Sequence, residues 1–154
     1  MIEKNFNKVY QKFKIHFYRS VFERIQSREL TLTMVETFCI EIIFALDRPT
    51  VSEFASYVQI SLPNAAYKIN SLIKKGYLRK VQSSEDKREY YLEVTDKYMN
   101  YYNISANYMN DVMHRIEERF PKEKLDVLEE ILEVTDAELM PEVSVVGDSH
   151  YDIF

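Results

Sequence analysis

Residues 50–81 of the chain read TVSEFASYVQISLPNAAYKINSLIKKGYLRKV, and this stretch decides the fold. A threonine followed three residues later by a glutamate, as in Thr50 and Glu53, is typical of a helix start, and the helix it begins is barely two turns long. Ser61 is a good N-cap for a second helix, because its side-chain oxygen can accept a hydrogen bond from a free backbone N–H. Two short helices joined by a three-residue turn predict a helix-turn-helix.

The second helix, predicted over residues 62–75, stops at Gly76, where a glycine can adopt the left-handed conformation of a helix end. Beyond it the apolar pattern changes from the period of a helix to a period of two. The alternation covers residues 77–82 and 90–94, on either side of the charged loop SSEDKRE at 83–89. The pattern predicts a two-stranded antiparallel hairpin, a wing, directly after the helix-turn-helix.

Long helices are predicted on both sides of this segment. In the first helix an apolar stripe at steps of three and four extends from Ile2 to Val21, and a last helix follows Pro121. Between the first helix and residue 50, a capping box predicts one more helix, and Thr95 is a cap for a long fifth helix. The predicted inward residues are Phe38, Ile42 and Leu46 before the helix-turn-helix and Phe54, Ala55, Val58, Ala66, Ile69, Leu72 and Ile73 within it. The apolar stripe of the last helix is Leu125, Leu128, Leu132 and Leu139, and it is predicted to contribute to a dimer contact.

Composition agrees with a mainly helical protein. Only two glycines and four prolines occur in 154 residues, too few for the many tight turns of an all-β fold. The single cysteine, Cys39, excludes an intramolecular disulfide and suits a reducing compartment. It is better explained as a buried thiol than as an oxidant sensor. Without a long apolar segment or an export signal, the sequence predicts a cytoplasmic protein with no membrane association.

Charge is unevenly distributed along the chain. The net charge of the whole chain is -5, but residues 48–97 hold nine lysines and arginines against six acidic residues, a local excess of +3. Association with a polyanion depends on such a local face more than on the total. A nucleic-acid partner is therefore compatible with the acidic chain.

The second helix of the helix-turn-helix carries the candidate DNA contacts. Beside its cap Ser61, five side chains at helical spacing are predicted to share the face opposite Ile69 and Leu72. Asparagine can bind adenine through two hydrogen bonds, while lysine, serine and tyrosine can reach bases or phosphates. An ordinary solvated helix face is the alternative, and the basic wing that follows favours DNA. The five are Asn64, Tyr67, Lys68, Ser71 and Lys75.

At this point the chain resembles the MarR (multiple antibiotic resistance regulator) family of transcription factors. The resemblance is carried by LTMVETFCI, TVSEFASYVQIS, INSLIKKGYLRKV and above all DKREYYLEVTD, which is similar to the family's wing pattern of Asp-x-Arg and Leu-x-Leu-Thr, with Val94 at the second leucine. The resemblance implies Arg88 in the minor groove, Asp86 bracing the wing and Lys87 beside them. Gln59 departs from the small residue, often glycine, that the family has in its turn.

The resemblance also implies the organisation and partners of the chain. Members are homodimers that bind palindromic operators, so the chain is expected to be a regulator, in the first instance a repressor, with double-stranded DNA and itself as partners. An alternative for the terminal helices is that each packs on its own domain. The expected segments are 1–30 as an N-terminal dimerisation helix, 31–97 as the winged helix-turn-helix, 98–140 as C-terminal dimerisation helices and 141–154 as an acidic tail.

Other signals are weaker. The tyrosines and methionines of the fifth helix could line a pocket for a small-molecule effector, although a core role is the commoner one for such a stripe. His114 and Glu117 have a spacing that metal ligands use, but a surface histidine is the simpler interpretation. No phosphate loop or nucleophile motif is found, so neither an enzyme nor a cofactor is predicted. The competing function is a winged-helix module that binds protein instead of DNA.

Overall fold

The computed structural model describes residues 1–28 and 31–143, and for residues 101–106 it describes the backbone alone. Its helices and strands confirm a mainly helical protein with one β-hairpin. Within the described ranges, no helix has both the length and the apolar character needed to cross a membrane. The elements are α1 (Ile2–Gln26), α2 (Met34–Ala45), α3 (Val51–Tyr57), α4 (Leu62–Lys74), β1 (Leu78–Gln82), β2 (Tyr90–Val94), α5 (Asp96–Arg119), α6 (Lys122–Val134) and a π-helical turn (Thr135–Leu139).

Both predicted capping boxes are present. At the start of α2 the backbone N–H of Glu36 donates to the Thr33 hydroxyl at 3.2 Å, and the N–H of Thr33 donates to the Glu36 carboxylate at 2.8 Å. The same reciprocal pair joins Thr50 and Glu53 at the start of α3, at 3.2 and 2.7 Å. Each box satisfies two N–H groups that a helix start leaves without a partner, which is why the boundaries follow from the local sequence.

Positive φ angles mark the turn between α3 and α4 and the end of α4. Gln59 has φ +56° in the turn, and Gly76 has φ +84° after α4. A side chain costs energy in this conformation and glycine does not, so Gln59 occupies a position suited to glycine. The backbone is nevertheless held, because the N–H of Ile60 reaches back to the carbonyl of Ala55 at 3.0 Å. The departure at Gln59 leaves the helix-turn-helix intact.

The core lies where α2, α3, α4 and the hairpin meet, with Val21 of α1 and Tyr98 of α5 added to it. Two sequence predictions about it are wrong. Phe38 is 47% exposed, while Ile40 and Ile43 are buried, and Ala65 is buried in place of Ala66. Helix α2 is apolar on most sides, so its hydrophobic pattern does not define which side faces inward.

The wing is an antiparallel pair in which Leu78 faces Val94 and Gln82 faces Tyr90. Strand β2 also contacts the segment before α3, since the N–H of Leu92 donates to the carbonyl of Pro49 at 2.8 Å. This bond joins the base of the wing to the start of the helix-turn-helix. The wing therefore has a defined position relative to α3.

The described chain divides into two compact units, one ending at Ser105 and one beginning at Ala106. The first contains the winged helix-turn-helix and its core. The second contains the end of α5 and the whole of α6, and none of the α6 residues is buried. The predicted acidic tail lies, from residue 144 onward, outside the described residues.

Candidate nucleic-acid interface

Helix α4 presents a solvent-exposed face that differs from the predicted one. Tyr67 is its most exposed aromatic, at 76%. Asn64, Asn70 and Lys74 are exposed as well. Counted from Asn64, the other three residues follow at three, six and ten positions. These steps place the four side chains on one side of the helix, opposite Ala65 and its buried neighbours. Sequence reasoning missed Asn70 and Lys74. The sequence prediction takes Ala66 as the buried alanine. Taking Ala65 instead would have predicted an exposed face that includes Asn70 and Lys74.

Ser61 acts as the N-cap of α4. Its hydroxyl accepts a hydrogen bond from the backbone N–H of Asn64 at 3.4 Å, and Pro63 occupies the first turn, where no N–H is needed. The bond uses the Ser61 oxygen for the helix start. The first turn of α4 is thus specified by the local sequence. Asn64 lies in this turn, and its side chain is exposed.

Ser71 of α4 and Lys75 at the C-cap of α4 point toward α2. The Ser71 hydroxyl donates to one carboxylate oxygen of Glu36 at 2.5 Å, and the Lys75 ammonium contacts the other at 2.7 Å. Lys75 also donates to the carbonyl of Thr31 at 3.0 Å. The prediction that these two side chains share an open face with Asn64 is therefore wrong, because the start of α2 covers that part of α4.

Glu36 is the centre of this contact, and sequence reasoning assigned it only a capping role. Burial favours its neutral form, but hydrogen bonds from Lys75, Ser71 and Thr33 outweigh burial and lower its pKa to about 2. The carboxylate therefore remains charged under ordinary conditions and joins two helices. A capping-box glutamate has a second oxygen available, which is the signal that could have pointed to this role.

Lys68 is half-buried on the side of α4 that faces Cys39. Burial raises the pKa of the Cys39 thiol, and the positive charge of Lys68 offsets this only in part. A buried thiol with a raised pKa is a poor nucleophile. The structure thus agrees with the interpretation of Cys39 as a packed side chain, and it leaves Lys68 less free than Asn64 or Tyr67.

The wing loop is organised by two polar residues. The buried Ser83 accepts from the N–H groups of Glu85 and Asp86 through its hydroxyl, at 3.2 and 3.3 Å. Asp86 in turn accepts from the backbone N–H of Arg88 at 2.9 Å and from its guanidinium through two contacts of 3.2 Å. These bonds from Arg88 lower the pKa of Asp86. The Arg88 side chain, 91% exposed, is thereby held at the tip of the hairpin.

Lys87 has a different environment from its neighbour. Its side chain is exposed and its backbone carbonyl accepts from the Gln82 amide at 2.6 Å, so the main chain is fixed while the ammonium projects into solvent. At the base of the wing, Glu93 pairs with Arg48 at 2.8 Å and with Arg79 at 2.7 Å. At the base one carboxylate is shared by two arginines, whereas at the tip Arg88 pairs with Asp86 and the ammonium of Lys87 is exposed.

The weaker candidates of the sequence, the His114–Glu117 pair and the tyrosines of α5, have ordinary surroundings where the structure describes them. His114 lies 3.8 Å from Glu117 and 3.3 Å from Glu118 on the exposed side of α5, and within the described residues no three metal-binding side chains come together. Tyr98, one of the proposed pocket tyrosines, is buried in the core and donates to Glu41 at 2.8 Å. The side chains of residues 101–106, which include two more, lie outside the described ones.

Several solved structures share the fold of the chain. A mutant of MepR from a multidrug-resistant Staphylococcus aureus clinical isolate is 11% identical, with a TM-score of 0.64 over 91% of this chain and 98% of that one. A MarR family protein from Bacillus stearothermophilus is 12% identical, with a TM-score of 0.62 over 90% and 92%. Streptococcus pneumoniae FabT, solved in complex with DNA, is 20% identical, with a TM-score of 0.53 over 89% and 96%.

No curated protein sequence matches the chain significantly. A family model does match: residues 32–90, from the start of α2 to the wing, fit the description "MarR family". The matched segment contains both capping boxes, α4 and the loop that holds Arg88. Over this segment the chain is similar to the MarR family, and beyond it the chain shares the fold of the solved structures named above.

Proposed function

We propose that this chain is a repressor that binds a pseudo-palindromic DNA operator as a homodimer. In this proposal α4 lies in the major groove and the wing reaches the adjacent minor groove. The observation that carries it is the wing tip, where Arg88 is almost fully exposed yet held by Asp86. A loop that only needed solubility would not require its arginine to be held by three hydrogen bonds.

The minor groove favours such an arginine. A narrow A·T-rich minor groove concentrates negative potential, which attracts a guanidinium without any base-specific hydrogen bond. Because Arg88 is already ordered by Asp86, less side-chain freedom is lost when it enters the groove. Lys87 would contact phosphate at the groove edge, and Asp86 would have a bracing role.

Helix α4 supplies the second contact. Asn64 and Tyr67 are exposed near its start, the part of a recognition helix that reaches base edges. Ser61 is engaged in capping and Lys68 is half-buried, so both are expected to contribute phosphate contacts at most. Ser71 and Lys75, which were candidates for DNA contact, are proposed to position α4 through Glu36.

The solved complex of FabT with DNA supports a DNA partner for this fold. The local charge supports it as well, since residues 48–97 carry a net +3 within an acidic chain. The exposed charges of Lys80, Lys87 and Arg88 lie on the hairpin, next to α4 in sequence. Exposed cations such as these give an affinity that depends on phosphate contacts.

The homodimer is proposed from the terminal helices, residues 1–30 and 98–140. In α1 the apolar side chains of Ile2, Phe6 and Val9 are exposed, and in α6 those of Ile131 and Leu132 are. Such apolar groups mark protein interfaces when they align at helical spacing. A two-fold dimer would place the half-sites about 10 base pairs apart. Substituting Ile131 with glutamate should give monomers, and an unchanged dimer in light scattering would contradict this interface.

Control of DNA binding by a small molecule is also part of the proposal. It rests on the resemblance and on Met109 and Met113 of α5, since Tyr98 is occupied in the core. A thermal-shift screen of small aromatic compounds would test it. A compound that raises the melting temperature and releases DNA would support an effector site.

The central experiment is an electrophoretic shift with fragmented genomic DNA at two salt concentrations. DNA binding through phosphate contacts should weaken steeply as salt rises. Binding releases counterions from the DNA, and a higher salt concentration makes this release less favourable. The competing function is a winged-helix module that binds protein, which the net charge of -5 permits. Absence of any shift at low salt would favour that module.

A further inference from the structure

The exposed face of α4 is dominated by amides and not by cations. Asn64 and Asn70 lie on either side of Tyr67, each three residues away from it, and all three are exposed. An asparagine amide can donate from its NH2 group to adenine N7 while its carbonyl oxygen accepts from the adenine N6 amino group, so its favoured bidentate partner is adenine. Two exposed asparagines on one face of α4 therefore favour adenine as the base that this face reads.

The same face has no arginine and a single lysine, Lys74. Helix α4 has the sequence LPNAAYKINSLIK, without an arginine, and arginine or lysine bound to guanine is the commonest specific contact. Lys68 is half-buried near Cys39, and Lys75 is paired with Glu36. Among the lysines of this helix and its C-cap, Lys74 is the exposed one, and it lies at the end of the helix, where phosphates are the nearer partners.

The spacing of the two asparagines predicts the spacing of their targets. Six residues along a helix correspond to a rise of about 9 Å at about 1.5 Å per residue. Stacked base pairs are about 3.4 Å apart, so side chains separated by that rise reach positions about two or three base pairs apart. Tyr67, between them, would contact an intervening thymine methyl group or a phosphate.

We propose that Asn64 and Asn70 are specificity-determining residues that select adenines two or three base pairs apart in each operator half-site. The inference rests on the proposed DNA-binding function and adds the base class that α4 reads. It assigns a role to Asn70, which the sequence pattern did not single out. It also predicts that Lys74 contributes affinity without sequence preference.

The test starts with operators that the wild-type protein selects from a random DNA library. Affinities are then measured on a panel in which each base pair of one half-site is replaced in turn. For wild type, replacing either target adenine should weaken binding by about tenfold to a hundredfold. Asn70→Ala should remove the discrimination at one of the two positions, and Asn64→Ala at the other. Asn70→Gln should retain it, because glutamine binds adenine in the same way.

Two variants serve as matched controls. Lys74→Ala should weaken binding equally across the panel, and Asn110→Ala, an exposed asparagine of α5, should leave the panel unchanged. An operator without adenines at this spacing, or an Asn70→Ala variant with the wild-type base preference, would overturn the inference while leaving DNA binding in place. If wild type selects no sequence at all, the proposed function itself fails and the adenine readout fails with it.

Discussion

Phe54 and Phe6 are the same residue type in opposite surroundings. Phe54 of α3 is 0% exposed, within the core of the winged helix-turn-helix, whereas Phe6 of α1 is 65% exposed. The central segment covers its own large apolar side chains and leaves amides and charges on α4 and the wing. The terminal helices leave apolar side chains uncovered. The central segment thus covers its own large apolar side chains within one chain, and the uncovered ones of the terminal helices are the basis of the proposed dimer.

The largest expected effect comes from the same substitution in the two places. Phe54→Ala should lower the free energy of unfolding by about 3–5 kcal/mol, because it leaves a cavity in a closed core. Phe6→Ala should change it by less than about 0.5 kcal/mol in the monomer but weaken dimerisation roughly tenfold. Urea denaturation and sedimentation at several protein concentrations separate the two quantities. If both variants lower the free energy of unfolding of the monomer equally, the contrast between a covered Phe54 and an uncovered Phe6 is wrong.

The second effect contrasts two capping-box glutamates of the central segment. Glu53 caps α3 only, whereas Glu36 caps α2 and also pairs with Ser71 and Lys75. Glu53→Ala should cost about 1 kcal/mol, and Glu36→Ala about 2–3 kcal/mol, because Lys75 is left partly buried without its partner. Equal costs, measured by urea denaturation, would show that the link between α2 and α4 contributes nothing.

The pH dependence of Glu36 follows from the direction of its shift. Its pKa is lowered from 4.5 to about 2, so its contribution to stability is present above pH 4.5 and is lost as pH falls toward 2. Glu36→Gln should flatten the stability profile in this acidic window relative to wild type. The same loss of stability in both proteins between pH 4.5 and 2 would contradict the assignment.

A third, smaller effect has the opposite sign. Burial raises the pKa of Glu41 to about 6, against a weaker lowering by the Tyr98 hydroxyl. Its contribution is therefore present below pH 4.5 and is lost as pH rises through 6, by about 1–2 kcal/mol. Glu41→Gln should remain stable across this window while wild type weakens. Thermal melts from pH 4.5 to 7 measure the difference, and parallel curves would rule out the assignment.

The smallest effect on stability is expected at the wing tip. Arg88→Ala should leave the melting temperature nearly unchanged, because an exposed arginine contributes little to folding. Affinity for the selected operator should fall roughly tenfold, with a shallower dependence on salt. Lys87→Ala, the matched neighbour, should do less. If the two variants bind the operator with equal affinity, the loop is only a solvated charge cluster.

Features that depend on neighbouring residues were predictable. The boxes at Thr33 and Thr50, the glycine at residue 76 and the hairpin around residues 83–89 all form from groups a few positions apart. Their energetics are local, because each satisfies backbone groups that the same turn leaves free. The order of elements, and with it the winged helix-turn-helix, followed from the linear pattern.

Features that depend on packing were not. The inward side of α2 could not be chosen between Phe38 and Ile40, since an apolar helix has no clear face until its neighbours are in place. Ser71 and Lys75 turn away from solvent because Glu36 lies 35 and 39 residues earlier in the chain. A helical pattern relates residues three or four positions apart, so it cannot reveal a contact between residues this far apart in the chain. The amino-acid order thus determined that α4 would be the second helix of a helix-turn-helix followed by a hairpin wing, and the packing of α2 against α4 selected which of its side chains remain exposed.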